Sequence, residues 1–263
     1  MKIGVTQIIL GSMPLADTLA LCQEAGYDAV ELCFEEDRDM DINMSESELK
    51  AVRESCAAAG IEISSVAANY QDRGNLLSLN SGQRAKGIKS VVRSLEIAEA
   101  LGVEAILLHP GQLTDEGTYL GVWENLSSVL SDLAPIAESH GAVIGLENVW
   151  NKFLLSSREM CDFIDEIDSE WVRSYLDTAN MMAYGYPEHW IRELGGRIVR
   201  VHFKDFKRDH HQFVNLLDGD TNWPSVMRNL RAVEYDGYVI HEVGGDWAHQ
   251  VDVAERMRRI VAM

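Results

Sequence analysis

One arrangement of hydrophobic and polar positions recurs along the whole chain. A stretch with apolar residues at helical spacing ends at a glycine, and a short apolar run follows within a few residues. Glycine commonly closes helices in the left-handed conformation, and continuous apolar runs are typical of buried parallel strands. The segments that carry this pattern are EAGYDAVEL, AAGIEISSVA, ALGVEAILL, SHGAVIGLE, GGRIVRVH and YDGYVIHEV. The pattern predicts helices and strands in alternation.

Two further apolar runs, near the start and near residue 172, bring the number of predicted strands to eight. The strands are predicted at residues 2–7, 28–33, 61–67, 103–108, 142–147, 172–177, 198–202 and 237–242. Helical patterns fill the intervals, for example at Leu126–His140 and Val226–Val233. Ser45 and Glu48 are spaced as in a capping box, which predicts a helix start there.

Eight βα units without a linker favour a closed (β/α)8 TIM barrel, and we predict a single α/β domain over residues 1–263. The chain length of 263 residues suits this fold. A doubly wound open sheet is the alternative, but it usually carries a glycine-rich phosphate loop after its first strand. The segment QIILGS, which follows the first predicted strand, is not such a loop.

Composition and charge argue against some classes of binding partner. The formal net charge is −19, which repels phosphate backbones and argues against a nucleic-acid partner. No apolar run reaches the roughly 20 residues of a membrane span, and MKIGVTQIIL lacks the features of a signal peptide, so we expect a cytoplasmic protein without a membrane partner. The four cysteines form no CxxC pair and are expected to be buried free thiols. Assembly into a homo-oligomer is left open.

Four residues of metal-ligand type end the last four predicted strands. Glu147, Asp177, His202 and Glu242 each follow an apolar run, one in each of four consecutive βα units. The carboxyl ends of barrel strands meet at one mouth, so these side chains are expected to converge. Three carboxylates that close together repel one another unless a cation lies between them. Oxygen ligands with one imidazole favour Mn²⁺, Mg²⁺ or Co²⁺ over a structural zinc site.

The segments ENVWNKFLLS, LDTANMMAYGYPEHW, IVRVHFKDFKR and LLDGDTNWPSVMRNLRAVEYDGYVIHE resemble the xylose-isomerase-like superfamily, and within it the sugar phosphate isomerase/epimerase group. The resemblance implies an enzyme that acts on a small-molecule sugar or sugar phosphate. It implies that Glu147, Asp177, His202 and Glu242 hold one divalent ion, with Mn²⁺ foremost and Mg²⁺, Co²⁺ or Zn²⁺ as alternatives. It also implies that Glu147 and Glu242 are the catalytic acid/base pair.

The same resemblance assigns further residues to the substrate. Arg208, six residues after His202, matches a substrate-binding arginine of the ketose 3-epimerases. Asn180 stands where those enzymes carry a substrate-contacting histidine, and we assign Asn180 to substrate binding as well. Phe153 stands where they carry a glutamate that contacts free ketose. These two differences argue against a free-ketohexose 3-epimerase.

Other polar residues lie at predicted strand ends. His109, at the end of the fourth strand, is expected to point into the pocket and bind substrate. Lys204 lies on the same strand face as His202, where it would either bind an anionic substrate or neutralise Asp205. Glu31 ends the second strand and is expected to support a neighbouring group.

The loops hold several residues with less specific interpretations. The aromatic residues after strand ends either line the pocket or pack within the loops. The acidic run and the paired histidines are expected to be solvated. The aromatic residues are Trp150, Phe206 and Trp247. The acidic run comprises Glu35, Glu36, Asp37, Asp39 and Asp41, and the paired histidines are His210 and His211.

The preferred function is therefore isomerisation or epimerisation of a ketose or sugar phosphate by proton transfer through a cis-enediolate. A keto-sugar or keto-inositol dehydratase would use the same residues and is the alternative. An abasic-site endonuclease shares the superfamily's barrel, but the charge of −19 and Asn180 in place of a ligand histidine oppose it. A non-catalytic sugar-binding barrel is opposed by the intact ligand set.

Overall fold

A computed structural model describes residues 1–70 and 72–263 and shows a closed barrel of eight parallel strands. The barrel strands are β1 Lys2–Thr6, β2 Ala29–Phe34, β3 Glu62–Ala68, β4 Ala105–Leu108, β5 Val143–Glu147, β6 Val172–Asp177, β7 Ile198–Phe203 and β10 Tyr238–His241. Each lies within two residues of its predicted bounds. The (β/α)8 TIM barrel is confirmed.

In the part of the chain that the structure describes, eight α-helices follow the barrel strands and cover the barrel. They are α1 Leu15–Ala25, α2 Glu46–Ala59, α3 Ser81–Leu101, α4 Tyr119–His140, α5 Ser157–Ile167, α6 Pro187–Leu194, α7 Trp223–Ala232 and α8 Trp247–Val261. The predicted capping box of Ser45 and Glu48 starts α2. Left-handed glycines close α1 to α4, as the pattern predicts. Within the described ranges, no helix is long and apolar enough to cross a bilayer.

The inside of the barrel contains a group of polar side chains. Glu31, Ser65, Tyr175 and His202 come from four different strands and are all fully buried. Gly145 on β5 makes room for the tyrosine ring, since a Cβ at that position would lie 2.9 Å from Tyr175 Cδ2. Tyr175 and Gly145 lie on the same strand faces as Asp177 and Glu147, because side chains two residues apart share a face. The barrel interior therefore adjoins the predicted metal ligands.

A hairpin between β7 and α7 was not predicted. Its antiparallel strands are β8 Asp205–Lys207 and β9 Gln212–Val214. Asp205 fixes the loop that follows, because its carboxylate accepts hydrogen bonds from Thr221 Oγ1 over 2.6 Å and from Trp223 Nε1 over 3.0 Å. All four cysteines are buried and free, as expected.

Candidate metal centre

The structure brings the four predicted ligands together at the carboxyl ends of β5, β6, β7 and β10. Glu147, Asp177, His202 and Glu242 each offer one ligand atom, and these atoms all lie within 4.8 Å of one another. The first three side chains are buried and that of Glu242 is partly exposed. A single ion could therefore contact all four residues and still be reached from the mouth.

The imidazole of His202 divides its two nitrogens between the ligand cluster and the barrel interior. Nδ1 lies 3.2 Å from Glu147 Oε1 and 3.6 Å from Glu242 Oε2. Nε2 lies 3.1 Å from Glu31 Oε1. Burial alone would lower the pKa of His202, but the carboxylates of Glu31 and Glu147 raise this pKa well above its usual value. Glu31 thus supports a neighbouring group, as expected, but it does so from inside β2 and not from the end of that strand.

Asp177 provides the test of whether a cation fits this site. Its Oδ1 accepts hydrogen bonds from the backbone N–H groups of Ala179 and Asn180 over 2.8 and 2.7 Å. Its Oδ2 is buried and has no hydrogen-bond partner among the described residues. Burial raises the pKa of Asp177 to about 6, against the effect of Lys204 and with the help of Glu147. A buried oxygen without a donor is costly, and a cation at this position would satisfy it.

Lys204 supplies positive charge to the cluster. Its Nζ lies 2.6 Å from Glu242 Oε2 and 3.5 Å from Asp177 Oδ2. Burial opposes the charged ammonium, yet the surrounding carboxylates, Asp177 foremost, raise the pKa of Lys204 above its usual value. The Asp205 carboxylate accepts hydrogen bonds from hydroxyl, indole and backbone donors instead.

His109 reaches the same cluster from the loop after β4. Its Nε2 is hydrogen-bonded to Glu147 Oε2, and its side chain stays partly exposed. Burial would raise the pKa of Glu147, but His109 and His202 together hold it well below its usual value. Glu147 is therefore ionised, with one oxygen facing each histidine.

A pair of asparagines braces the strand ends beneath these ligands. The Asn148 side chain accepts from the Asp177 backbone N–H over 2.8 Å and donates to the Asp177 carbonyl over 3.0 Å. Asn180 Nδ2 in turn donates to the Asn148 carbonyl over 2.9 Å. The bracing role of Asn148 was not predicted, although its place directly after a ligand was a usable signal. The substrate contact assigned to Asn180 remains a prediction.

Arg208 and Phe153, which the family resemblance singled out, lie among loop side chains. Arg208 donates to the backbone carbonyls of Met182 and Gly185 over 2.5 and 2.7 Å, so it holds the loop after β6. Its predicted contact with substrate remains a prediction. Phe153 is buried and packs on Tyr119, with ring centroids 5.0 Å apart, so its position offers no polar group.

An aromatic group lies beside Lys204. Trp150 is 42% exposed, and its ring centroid lies 4.9 Å from that of Phe213 and 5.4 Å from that of His211. Phe206 belongs to the same group, with its ring centroid 6.0 Å from that of Trp150. Lys204 Nζ lies 5.1 Å from the Phe213 ring centroid. The presence of Phe213 in this aromatic group was not predicted from the sequence.

The outer loop residues His211, His210 and Trp247 make different contacts in the structure. His211 is exposed but stacks on Trp150, so its description as merely solvated was incomplete. His210 is exposed and bonds to Asp209, as expected for a solvated loop. Trp247 Nε1 donates to Glu24 over 3.0 Å at the start of α8.

Similarity to known proteins agrees with this fold. The chain is 21% identical over 235 residues to L-ribulose-5-phosphate 3-epimerase UlaE of Escherichia coli K12, covering 88% of this chain and 83% of that protein. The structure of L-ribulose 3-epimerase superposes with a TM-score of 0.83 at 19% identity, over 99% of this chain and 93% of that one. The IolI protein with a bound zinc atom gives a TM-score of 0.83 at 18% identity, over 100% and 98% of the two chains. The family model described as xylose isomerase-like TIM barrel matches residues 19–261. The chain therefore belongs to the xylose isomerase-like TIM barrel family.

Proposed function

We propose that this chain is a divalent-metal-dependent isomerase or epimerase that acts on a ketose or sugar phosphate by proton transfer through an enediolate. The observation that carries the proposal is the cluster of four ligand residues in which buried Asp177 Oδ2 has no hydrogen-bond donor among the described residues. The similarity to UlaE and to L-ribulose 3-epimerase supports a sugar substrate.

Glu147, Asp177, His202 and Glu242 would hold the ion. When bound, it supplies positive charge that favours proton loss from the carbon next to a sugar carbonyl. We propose Mn²⁺ as this ion, on the oxygen-rich ligand set. The zinc in the IolI structure supports a divalent ion in this fold without naming the metal used here.

Glu147 and Glu242 are proposed to exchange protons with the substrate. Glu147 is the last residue of β5 and Glu242 follows β10; these strands are separated in the barrel by β6 and β7, so the two carboxylates enter the site from different sides. One carboxylate removes the proton on one face and the other returns a proton on the opposite face, which inverts the carbon. Return to the adjacent carbon would give isomerisation instead.

Lys204 and His109 are proposed to bind the substrate oxygens. Each already contacts one member of the glutamate pair, through Glu242 and Glu147 respectively. An ammonium or imidazole donor at this distance from the bases is well placed to stabilise negative charge on the substrate oxygen. Asn180 and Arg208 remain proposed substrate contacts.

Turnover in D₂O tests the reaction path. The protein would be loaded with Mn²⁺ and assayed on L-ribulose 5-phosphate, L-ribulose and D-fructose, with product analysis by NMR. Deuterium at the carbon next to the carbonyl is expected, because the glutamates exchange protons with solvent between removal and return. Product without label, from a substrate that turns over, would favour a hydride shift. Substrate deuterated at that carbon serves as the control, since even rare exchange then washes label out. Release of water with formation of a dehydrated keto product would favour the dehydratase.

A further inference from the structure

Glu31 is a charged residue at the centre of the barrel and is fully buried. Its Oε2 accepts hydrogen bonds from Tyr175 OH over 2.6 Å and from Ser65 Oγ over 2.7 Å. Its Oε1 faces His202 Nε2 at 3.1 Å. The carboxylate thus connects residues of four strands, β2, β3, β6 and β7. Its two oxygens differ in their partners: Oε2 accepts from two hydroxyl groups, and Oε1 faces the histidine.

An ionised carboxylate can only accept hydrogen bonds, so the nitrogen that faces Glu31 must carry a hydrogen. In a neutral imidazole the other nitrogen then carries the lone pair, and here that nitrogen is Nδ1, 3.2 Å from Glu147 Oε1. Histidines that bind metals commonly donate their second N–H in this way, which fixes the ring orientation and the tautomer.

We propose that Glu31 is a positioning residue that holds His202 in the Nε2–H form, with the Nδ1 lone pair directed at the metal. This role rests on the metal site of the proposed function. It explains why a charged group occupies the barrel interior: two hydroxyl groups could bond each other there without it, whereas a metal-binding histidine needs an acceptor behind it.

Substitution Glu31→Gln separates this role from simple space filling, because the side-chain shape is kept. Tyr175 and Ser65 both donate toward the Oε2 position, so the amide oxygen takes that place and the amide NH₂ faces His202. An NH₂ group there favours a lone pair on Nε2 and a hydrogen on Nδ1, which blocks metal binding. Tyr175→Phe is the matched control, since it removes a hydrogen bond to Glu31 and leaves the contact between Glu31 and His202 in place.

The test uses Zn²⁺ as the probe on full-length protein that has been freed of metal. Zinc affinity is measured by competition with a chelator, and the protonated nitrogen of His202 is assigned in the zinc-loaded wild type by ¹H–¹⁵N NMR. We expect an affinity loss of about 10–100-fold in Glu31→Gln, about threefold or less in Tyr175→Phe, and hydrogen on Nε2 of wild-type His202.

Equal zinc affinity in folded Glu31→Gln would overturn the role of Glu31 alone, as would zinc bound through Nε2 in the wild type. If Glu31→Gln does not fold, the wild-type NMR assignment still decides between these outcomes. Failure of the wild type to bind zinc or Mn²⁺ would overturn the proposed metal site, and the role of Glu31 with it.

Discussion

Lys204 Nζ lies 2.6 Å from Glu242 Oε2, nearer than His202 Nδ1, which lies 3.6 Å from the same oxygen. The ammonium therefore provides the closest positive charge to the most accessible of the four ligands. It also lies 3.5 Å from Asp177 Oδ2, the oxygen that has no hydrogen-bond donor among residues 1–70 and 72–263. In the metal-free protein, the charge balance of the cluster depends on this lysine.

Lys204→Met is expected to lower the melting temperature of the metal-free protein and to enlarge the increase in melting temperature that Mn²⁺ produces. Methionine keeps most of the side-chain volume, but it leaves the buried carboxylates without their ammonium, and unpaired buried charge is costly. The measurement is thermal unfolding with and without Mn²⁺. Lys207→Met is a control, since Lys207 pairs with exposed Asp220. An unchanged response to Mn²⁺ in Lys204→Met would show that the lysine does not balance the cluster.

Glu242→Gln is expected to keep the fold and to lower kcat about 10²–10⁴-fold at saturating Mn²⁺, as for removal of a general base. The fold should survive because Glu242 follows the last barrel strand and is partly exposed. Circular dichroism checks the fold, and steady-state kinetics over a range of Mn²⁺ concentrations separates weaker metal binding from lost chemistry. Turnover near the wild-type value at saturating Mn²⁺ would remove Glu242 from the catalytic pair.

The strands and the ligand set were predictable because both follow from local sequence signals. Buried parallel strands appear as continuous apolar runs, and each ligand ends such a run, so barrel topology alone brings the ligands together. The contacts of Glu31 were not predictable, because its partners Ser65, Tyr175 and His202 lie 34 to 171 residues away along the chain. Pairing at that separation depends on strand register, which apolar runs do not specify.

Arg208→Lys is expected to destabilise the loop after β6, with a lower melting temperature. Lysine cannot reproduce the fork with which Arg208 contacts the carbonyls of Met182 and Gly185. Proteolysis and thermal unfolding, in the presence and absence of Mn²⁺, measure this effect. Kinetics on the same variant tests the predicted substrate contact: a higher KM with unchanged thermal stability would favour substrate binding over support of the loop.

The buried thiols predict a loss of stability at high pH. Burial, with a smaller effect of Cys56, raises the pKa of Cys22 from 9.0 to about 12. Between about pH 9 and 12 the unfolded chain releases this proton and the folded protein keeps it, so the free energy of unfolding falls as pH rises through this window. Urea unfolding at pH 8, 9 and 10 should show a shallower decline in Cys22→Ala than in the wild type. Identical slopes in the two proteins would contradict the shifted pKa.

The hairpin of β8 and β9 is a second feature that could not be predicted from the sequence. Its strands have only three residues each, and the charged segment KRDHHQ extends across their turn, so no apolar run marked them. Phe206 and Phe213 were visible as aromatic residues, but their pairing across the hairpin places them beside Trp150 only in the folded structure.

The barrel is closed by β10, which pairs with β1 on one side and β7 on the other. Glu242 directly follows this strand, so the fourth ligand takes its place only after the chain has been made beyond β10. A growing chain that has emerged as far as β7 carries Glu147, Asp177 and His202 beside an open seam. Ring closure and completion of the ligand set thus both depend on β10, and a chain in which β10 has not taken its place should hold metal weakly.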